Sequence, residues 1–548
     1  MLEPIWQPPL PRQITLAELP DHDPPRRKLA PSVGLLDLPQ ENRRTPLLLD
    51  LDSAHLAVVG APGSGKTSLL LSLALAAAAV HTTDELWIYA IDSGGHGLAV
   101  LTDLPHVGAV IQAREHERVR RLLYFLAVTL RERQELLRQA AVPDRRTYVA
   151  NTQQVLPAII LFIDKIAVLR EELPAAEEDE VLDNLLRLAR IGRALGIHLV
   201  IGAERNVDLS YRLLAMLELR LALRVPDLHE YTDLLGGRVT SQLPANIPGR
   251  AFWMHPEHGP AEAQIALPAL IAPGDEATSE DHDILLRQSI AQLAQQPARR
   301  KPTAITLLPE RVERQDLPAP EPSTEGLCAA IGIESLGLTT AALLLDHECP
   351  HALVIGPRRS GKSSTLRTAA RSLAAHYQPD QLRLLILDGP RGSLAELCEL
   401  AHTELYAQDN IGAGELARLL QSMPNTPTRR LLLIDDYHLS RERLRDHFSQ
   451  SYGEPNLLSL LLEAAQIGFR SGVNLLISAD IGYADDQLLR TLDSSRSGII
   501  LWPGRYDGGT KLLGVSLPLA GQRNAEQTPG RALLIRDGEQ RIVQVATN

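Results

Sequence analysis

Two eight-residue segments of the chain have the residue types and spacing needed to bind phosphate. GAPGSGKT at 60–67 and GPRRSGKS at 356–363 both follow G-x-x-x-x-G-K-[S/T], and each lies between an apolar run and a helical pattern. Glycines let backbone N–H groups converge on phosphates, and the lysine reaches the β and γ phosphates. We therefore predict two nucleotide sites, formed by Gly60, Ala61, Pro62, Gly63, Ser64, Gly65, Lys66 and Thr67, and by Gly356, Pro357, Arg358, Arg359, Ser360, Gly361, Lys362 and Ser363.

Each phosphate loop is followed by an apolar run that ends in an aspartate. These runs are AIILFIDKI at 158–166 and RLLLIDDYH at 430–438. A carboxylate at the end of such a strand and the hydroxyl of the phosphate loop hold Mg²⁺ in nucleotide sites of this type. The pattern predicts ATP and Mg²⁺ as cofactors, with metal ligands Thr67, Asp164, Ser363 and Asp435.

The position after the aspartate is where a base that activates water commonly stands. In the first copy it is Lys165, which accepts no proton at neutral pH unless its pKa is strongly lowered; in the second it is Asp436, one methylene shorter than Glu. Loss of a general base typically costs about 10²- to 10⁴-fold in rate. We expect the first site to hydrolyse ATP poorly, whereas Asp436 is a candidate catalytic residue. The alternative is that both sites only hold nucleotide.

Two arginines are candidates to act on the nucleotide of a neighbouring subunit. Arg193 precedes GIHLV and Arg470 precedes GVNLL. An arginine supplied in trans can accelerate phosphoryl transfer by about 10³- to 10⁵-fold. Exposed helical arginines without a catalytic role are the alternative. The strands that follow end in Glu204 and Asp480, which would repel a γ-phosphate unless they orient water or pair with a neighbouring arginine.

The elements that must position these residues occur twice in the chain. The phosphate loops are offset by 296 residues, and so are the strand-end aspartates Asp92 and Asp388. GIHLVIGAE at 196–204 corresponds to GVNLLISAD at 472–480 with an offset of 276, so the second copy is shorter. Short apolar runs alternate with helical patterns, which favours an α/β fold with a mainly parallel sheet flanked by helices in each copy.

The repeat divides the chain into two domains and a linker. We predict a first domain at 1–295, a Pro- and charge-rich linker at 296–325 and a second domain at 326–548. Within the linker, TAITLLPE at 303–310 resembles PRQITLAEL at 11–19. We therefore expect part of the linker to pack as a lead-in strand on the second domain.

Composition argues against a nucleic-acid partner and for a reducing compartment. With 67 acidic and 55 basic residues the formal net charge is −12, which repels phosphate backbones. Three cysteines cannot form a disulfide framework, and the first residues have no basic, apolar signal-peptide pattern. The longest apolar run, 69–80, is too short to span a bilayer and is predicted to be a buried helix. We expect a cytoplasmic protein.

In their order, these motifs resemble EccC, the ATPase of type VII secretion systems in the FtsK/SpoIIIE branch of RecA-like motors. The resemblance rests on GAPGSGKT, IDSGGHGL, LPHVGAVI, LFID and NIPGRAFW, and it covers nearly the whole chain. It implies two tandem RecA-like P-loop ATPase domains similar to the soluble EccCb half. In that family the first of three domains, absent here, is the main engine, and the last binds a C-terminal export signal on helical-hairpin substrates.

The resemblance also implies partners and a location. A membrane-anchored EccC-like ATPase, small helical-hairpin export substrates and other copies of the chain in a homo-oligomer would be the partners. The protein would lie in the cytoplasm at the periphery of a membrane secretion complex. An FtsK-like DNA translocase is the alternative function, and a nucleotide-gated scaffold without secretion is a third.

Overall fold

The chain folds into two compact units, residues 1–306 and 307–548. The computed structural model describes residues 8–20, 28–272, 279–295, 300–318, 326–408, 410–421, 428–439, 441, 457–480, 486–502, 511–516 and 528–547. The boundary between the units lies inside the predicted linker, 296–325. We propose that each unit is one copy of the repeated domain with its own lead-in segment.

Unit 1 is built on a single ten-stranded sheet. Its strands are β1 Ser32–Leu38, β2 Arg43–Leu48, β3 Leu56–Val59, β4 Leu86–Asp92, β5 Val107–Gln112, β6 Ala158–Asp164, β7 Ile197–Ala203, β8 Leu219–Leu223, β9 Arg250–His255 and β10 Gly259–Ile265. Its α-helices are α1 Lys66–Val80, α2 His116–Gln139, α3 Arg145–Thr152, α4 Ile166–Glu172, α5 Ala175–Ile191, α6 Tyr211–Leu214, α7 Leu228–Leu235 and α8 Ser279–Ala294.

Unit 2 has a second ten-stranded sheet and a separate two-stranded ribbon. Its strands are β11 Leu327–Glu334, β12 Thr340–Leu345, β13 Ala352–Ile355, β14 Leu382–Leu387, β15 Thr403–Ala407, β16 Arg429–Ile434, β17 Val473–Ala479, β18 Ser497–Leu501, β19 Lys511–Leu512, β20 Val515–Ser516, β21 Arg531–Arg536 and β22 Glu539–Val545. Its described α-helices are α9 Lys362–His376, α10 Asn410–Gln421, α11 Leu457–Ile467 and α12 Gln487–Asp493.

The two large sheets have the same strand order, which confirms the predicted repeat and the α/β fold class. The orders are β2-β1-β10-β9-β8-β3-β7-β6-β4-β5 and β12-β11-β22-β21-β18-β13-β17-β16-β14-β15. In unit 1, β8, β3, β7, β6, β4 and β5 pair in parallel, whereas β8, β9, β10, β1 and β2 pair antiparallel. A parallel core with an antiparallel extension is therefore the repeated architecture.

Helices cover both faces of the sheets and bury their central strands. Helix α1 lies in the cluster on one face of the unit 1 sheet, and α2 and α5 belong to the cluster on the other. Strands β4, β6 and β7 are buried along their whole length, as expected for strands covered on both sides. The apolar run 69–80 lies in α1 and is mostly buried, as predicted. No helix among the described residues is both long enough and apolar enough to cross a membrane.

The lead-in segments repeat, but in a register that differs from the predicted one. In unit 1, Thr15 bridges Leu267; in unit 2 the equivalent bridge joins Glu313 and Thr547. The pairing of TAITLLPE with PRQITLAEL is therefore wrong, because the counterpart of Thr15 lies beyond that segment. Its first half instead packs on unit 1, where Ile305 is buried in the core.

Candidate nucleotide sites

The unit 1 phosphate loop joins the end of β3 to the start of α1. Gly63 and Gly65 adopt φ values of 73° and 107°, a left-handed conformation that glycine adopts without steric cost. Lys66 is buried, and its Nζ donates hydrogen bonds to the carbonyl oxygens of Gly60 at 2.5 Å and Ala61 at 3.1 Å. The loop thus holds the predicted phosphate-binding lysine at its centre.

The unit 2 loop repeats this geometry between β13 and α9. Lys362 Nζ donates to the carbonyl oxygens of Gly356 at 2.7 Å and Pro357 at 3.1 Å. Gly361 has φ 104°, and Arg359 has φ 64° where the first copy has glycine. Each loop therefore brings together the groups that the sequence predicts to bind phosphate.

The predicted magnesium ligands lie next to each other in both units. Thr67 Oγ1 donates to Asp164 Oδ2 at 3.2 Å, and Ser363 Oγ donates to Asp435 Oδ2 at 2.6 Å. Asp164 Oδ1 is buried and has no hydrogen-bond partner within the described part of the chain. A hydroxyl beside a buried carboxylate with a free oxygen fits a divalent cation with oxygen ligands.

The second oxygen of the aspartate distinguishes the two sites. Asp435 Oδ1 accepts a hydrogen bond from Ser478 Oγ at 2.6 Å, and Ser478 Oγ accepts one from the Asp436 backbone N–H at 2.8 Å. The equivalent residue of unit 1 is Gly202, whose added Cβ would lie 3.3 Å from Asp164 Oδ1. Ser478 was not predicted as a site residue. The only sequence signal for it is that GAE at 202–204 in the first copy corresponds to SAD at 478–480 in the second.

Burial shifts the pKa of the charged groups in unit 1. It raises the pKa of the Asp164 carboxyl, and the nearby Asp92 raises it further. Asp92 itself is buried and accepts hydrogen bonds from backbone N–H groups, including that of Leu98 at 2.8 Å. Burial also lowers the pKa of the Lys66 ammonium. Two buried carboxylates next to each other favour a bound cation at this place.

The residue after each magnesium aspartate adopts the same backbone conformation. Lys165 has φ 55° and Asp436 has φ 46°. Lys165 Nζ lies 3.8 Å from Glu204 Oε1, so the partner of Glu204 is this lysine and not the arginine that we considered. In unit 1 an ion pair thus occupies the position where a general base would stand.

The two predicted arginines lie away from the phosphate loop of their own unit. Arg193 and Arg470 are exposed and precede the amino ends of β7 and β17. Because β7 is parallel to β3, the loop after β3 lies at the opposite edge of the sheet. Arg193 donates a hydrogen bond to the carbonyl oxygen of Ser53 at 2.5 Å. A role on a neighbouring subunit's nucleotide stays a prediction.

Comparison with known proteins places these sites in a family. The FtsK/SpoIIIE family pattern matches residues 20–207 and 328–480, which is more than half of the chain. The ESX-4 secretion system protein EccC4 of Mycobacterium tuberculosis is 29% identical over 573 residues, covering 99% of this chain and 42% of the relative. The ESX-1 secretion system protein EccCb1 of Mycolicibacterium smegmatis is 30% identical over 473 residues, covering 79% of this chain and 77% of the relative.

Solved structures of similar proteins share the fold. A structure of Thermomonospora curvata EccC (ATPases 2 and 3) in complex with a signal sequence peptide matches with a TM-score of 0.74 and 24% identity, covering 99% of this chain and 97% of that one. EssC (ATPases 2 and 3) from Geobacillus thermodenitrificans matches with a TM-score of 0.70 and 20% identity over 99% of this chain. The chain spans about two fifths of the length of the EccC relatives, 42% for EccC4. It belongs to the FtsK/SpoIIIE family, among the type VII secretion proteins EccC and EccCb.

Proposed function

We propose that the chain is a nucleotide-holding module of a type VII secretion machine, with two P-loop sites that bind ATP and turn it over slowly. The observation that carries the proposal is the Lys165–Glu204 ion pair next to an otherwise complete set of phosphate and metal ligands. In unit 1 the ligands for binding are present, whereas the group that would activate water is replaced by a cation. In unit 2 the same position holds Asp436, one methylene shorter than Glu.

In unit 1, the chain's own residues would hold the nucleotide and its metal ion. Backbone N–H groups of the loop and Lys66 Nζ would bind the phosphates, while Thr67 Oγ1 and the Asp164 carboxylate would bind Mg²⁺. Magnesium would neutralise charge on the phosphates when bound. Lys165 stands where a carboxylate base would stand, so binding without rapid hydrolysis is the expected result.

Binding stoichiometry tests the nucleotide part of the proposal. Isothermal titration of the full chain with MgATP should give two sites, and Lys66→Ala and Lys362→Ala should each remove about one. Each substitution deletes the cation that would contact the phosphates while leaving the glycines of the loop in place. Binding that neither substitution reduces would contradict the proposal.

We also propose that the chain works beside a membrane-anchored ATPase partner and recruits export substrates through unit 2. Support comes from the EccC relatives and from the signal sequence peptide in the Thermomonospora curvata complex. A labelled peptide carrying the C-terminal signal of a helical-hairpin export protein should bind the full chain saturably in fluorescence anisotropy. Salt-dependent affinity for duplex DNA without peptide binding would favour a translocase instead.

A further inference from the structure

A cleft of ≈280 Å³ opens over the unit 2 phosphate loop, and its lining is strongly basic. The described cations that line it are Arg358, Arg359, Lys362, Arg367 and Arg391. Asp436 is the one carboxylate among the described residues of this lining. Guanidinium groups bind phosphate oxygens through paired, charge-assisted hydrogen bonds, so the cleft suits a polyanion.

The basic lining belongs to the second copy alone. With the constant offset of 296 residues, the positions of the four arginines are occupied in unit 1 by Pro62, Gly63, Leu71 and Gly95. The structure supports this equivalence, because the Leu98 N–H donates to Asp92 Oδ2 at 2.8 Å and the Leu394 N–H donates to Asp388 Oδ2 at 2.8 Å. Four arginines therefore distinguish the unit 2 site, although unit 1 has the cation Lys165 where unit 2 has Asp436.

Arg359 is held in a way that indicates a role beyond solvation. Arg359 has φ 64°, a conformation that is unfavourable for a residue with a Cβ and that Gly63 adopts freely in unit 1. Such backbone strain persists mainly at functional sites. Arg367 lies on α9 with NH1 3.4 Å from Glu396 Oε1, and Arg371 on the same helix pairs with the same carboxylate.

The metal position in unit 2 is also less open than in unit 1. Both oxygens of Asp435 accept short hydrogen bonds, from Ser363 Oγ and Ser478 Oγ, each at 2.6 Å. In unit 1 the equivalent Asp164 accepts one hydrogen bond from Thr67 at 3.2 Å, and its Oδ1 has no hydrogen-bond partner among the described residues. The Ser478 hydrogen bond therefore occupies a lone pair of Asp435 Oδ1 that no described residue occupies on Asp164 Oδ1, so a metal ion has fewer open positions in unit 2.

We propose that unit 2 binds the polyphosphate chain of a nucleoside triphosphate through Arg358, Arg359, Arg367 and Arg391 without a divalent metal, whereas unit 1 requires Mg²⁺. The inference rests on the proposed function, because it assumes that both phosphate loops bind nucleotide. The guanidinium groups neutralise the phosphate charge that Mg²⁺ neutralises in unit 1.

Equilibrium dialysis with labelled ATP tests this, using the full chain with one loop disabled at a time. In the Lys66→Ala chain, which keeps the unit 2 loop, the Kd with EDTA should stay within about threefold of the Kd with Mg²⁺. In the Lys362→Ala chain, EDTA should weaken binding by about tenfold or more. Inorganic triphosphate should compete with ATP at unit 2 in EDTA, and its failure to compete would overturn the proposed phosphate contacts.

Arginine variants in the Lys66→Ala chain provide the matched comparison. Arg358→Gln combined with Arg391→Gln removes two exposed charges and should weaken metal-free ATP binding by about tenfold or more. Arg371→Gln is the control. Arg371 lies on α9, as Arg367 does, and it is beside Glu396, but it does not line the cleft. If EDTA weakens ATP binding equally in the Lys66→Ala and Lys362→Ala chains, the inference about unit 2 is contradicted and the proposed function is not. If neither chain binds ATP in the presence of Mg²⁺, the proposed function itself is contradicted.

Discussion

At the level of single residues, the two sites differ in what contacts the second oxygen of the magnesium aspartate. Ser478 joins Asp435 to the backbone of Asp436, while Gly202 leaves Asp164 Oδ1 unpartnered among the described residues. A buried carboxylate oxygen without a partner is costly, and a cation that binds there recovers that cost. Unit 1 thus gains more from metal than unit 2 does.

Exchanging these residues should shift stability in opposite directions. Ser478→Ala leaves Asp435 Oδ1 and the Asp436 N–H without this partner, and should lower the free energy of unfolding of unit 2 by about 1–3 kcal/mol. Gly202→Ser places a hydroxyl beside Asp164 Oδ1 and should stabilise metal-free unit 1 by about 1 kcal/mol. Urea denaturation of the full chain in EDTA measures both. Equal effects of the same sign would contradict this account.

The sequence predicts the ligands of the site better than their partners. Lys66, Thr67 and Asp164 follow from a loop motif and a strand-end pattern, because local chemistry defines them. Ser478 could not be assigned in this way, since its contact depends on how β17 aligns with β16. Of the cleft arginines, Arg358 and Arg359 were predicted as part of the loop, whereas Arg367 and Arg391 were missed because they are distant from the motif in sequence.

At the level of elements, a buried histidine just before the phosphate-loop strand bonds to the adjacent parallel strand in each unit, β7 in unit 1 and β17 in unit 2. His55 Nδ1 accepts a hydrogen bond from the Leu199 N–H at 3.0 Å, and His351 Nδ1 accepts one from the Leu475 N–H at 3.1 Å. Burial lowers the pKa of both imidazoles to about 4. A protonated Nδ1 could not accept these hydrogen bonds, so the neutral form belongs to the folded state.

These histidines should make both units sensitive to acid. A pKa of about 4 in the folded chain and 6.5 in the unfolded chain means that the unfolded state binds the proton first. Stability is therefore complete above pH 6.5 and is lost as the pH falls towards 4. Between pH 7.5 and pH 5 each histidine should cost about 2 kcal/mol of unfolding free energy. Urea denaturation at the two pH values measures the loss.

His55→Gln is the control for this pH dependence. The glutamine amide can accept from Leu199 and donate to the Ala189 carbonyl oxygen, which lies 3.0 Å from His55 Nε2. Because glutamine does not titrate, the free energy of unfolding of unit 1 should depend less on pH in this variant. The pH dependence of unit 2 should be unchanged. An unchanged slope for unit 1 would show that other groups cause the acid sensitivity.

Arg133 fixes the amino ends of two central strands to helix α2. Its guanidinium is buried and donates to the carbonyl oxygens of Leu195 at 2.8 Å and Pro157 at 2.7 Å. Arg133→Leu should destabilise unit 1 by about 3 kcal/mol or more, because it leaves buried carbonyl groups without donors. Arg131→Leu, at an exposed position of the same helix, should change little. Similar melting temperatures for the two variants would contradict this role.

Periodicity predicted the parallel strands because strands buried on both faces are nearly uniformly apolar. It did not predict the antiparallel extension formed by β9, β10, β1 and β2. Strands β2, β9 and β10 are only partly buried, and β1 is buried over most of its length without a regular alternation. The lead-in register was wrong because ITL occurs in both PRQITLAEL and TAITLLPE. The backbone bridges, Thr15 with Leu267 and Glu313 with Thr547, do not depend on that similarity.

At the level of the whole molecule, one architecture carries two sites with different chemistry. The sheets keep the same strand order although the second copy is shorter between β15 and β16 than the first is between β5 and β6. Unit 1 there has the long helix α2 followed by α3, whereas the described part of unit 2 has only α10. Both copies keep the phosphate-loop motif, whereas the charged residues around the loop differ between them.

ATP turnover by the full chain tests most directly the claim that nucleotide is held and not consumed. With both sites saturated by MgATP, we expect steady-state turnover well below about 1 s⁻¹, the low end of typical enzyme rates. Removing the Lys165–Glu204 ion pair in a Lys165→Glu, Glu204→Gln chain should raise turnover, because it supplies the missing carboxylate. Turnover of about 1 s⁻¹ or faster that Lys66→Ala or Lys362→Ala abolishes would contradict the account and identify the chain as a motor.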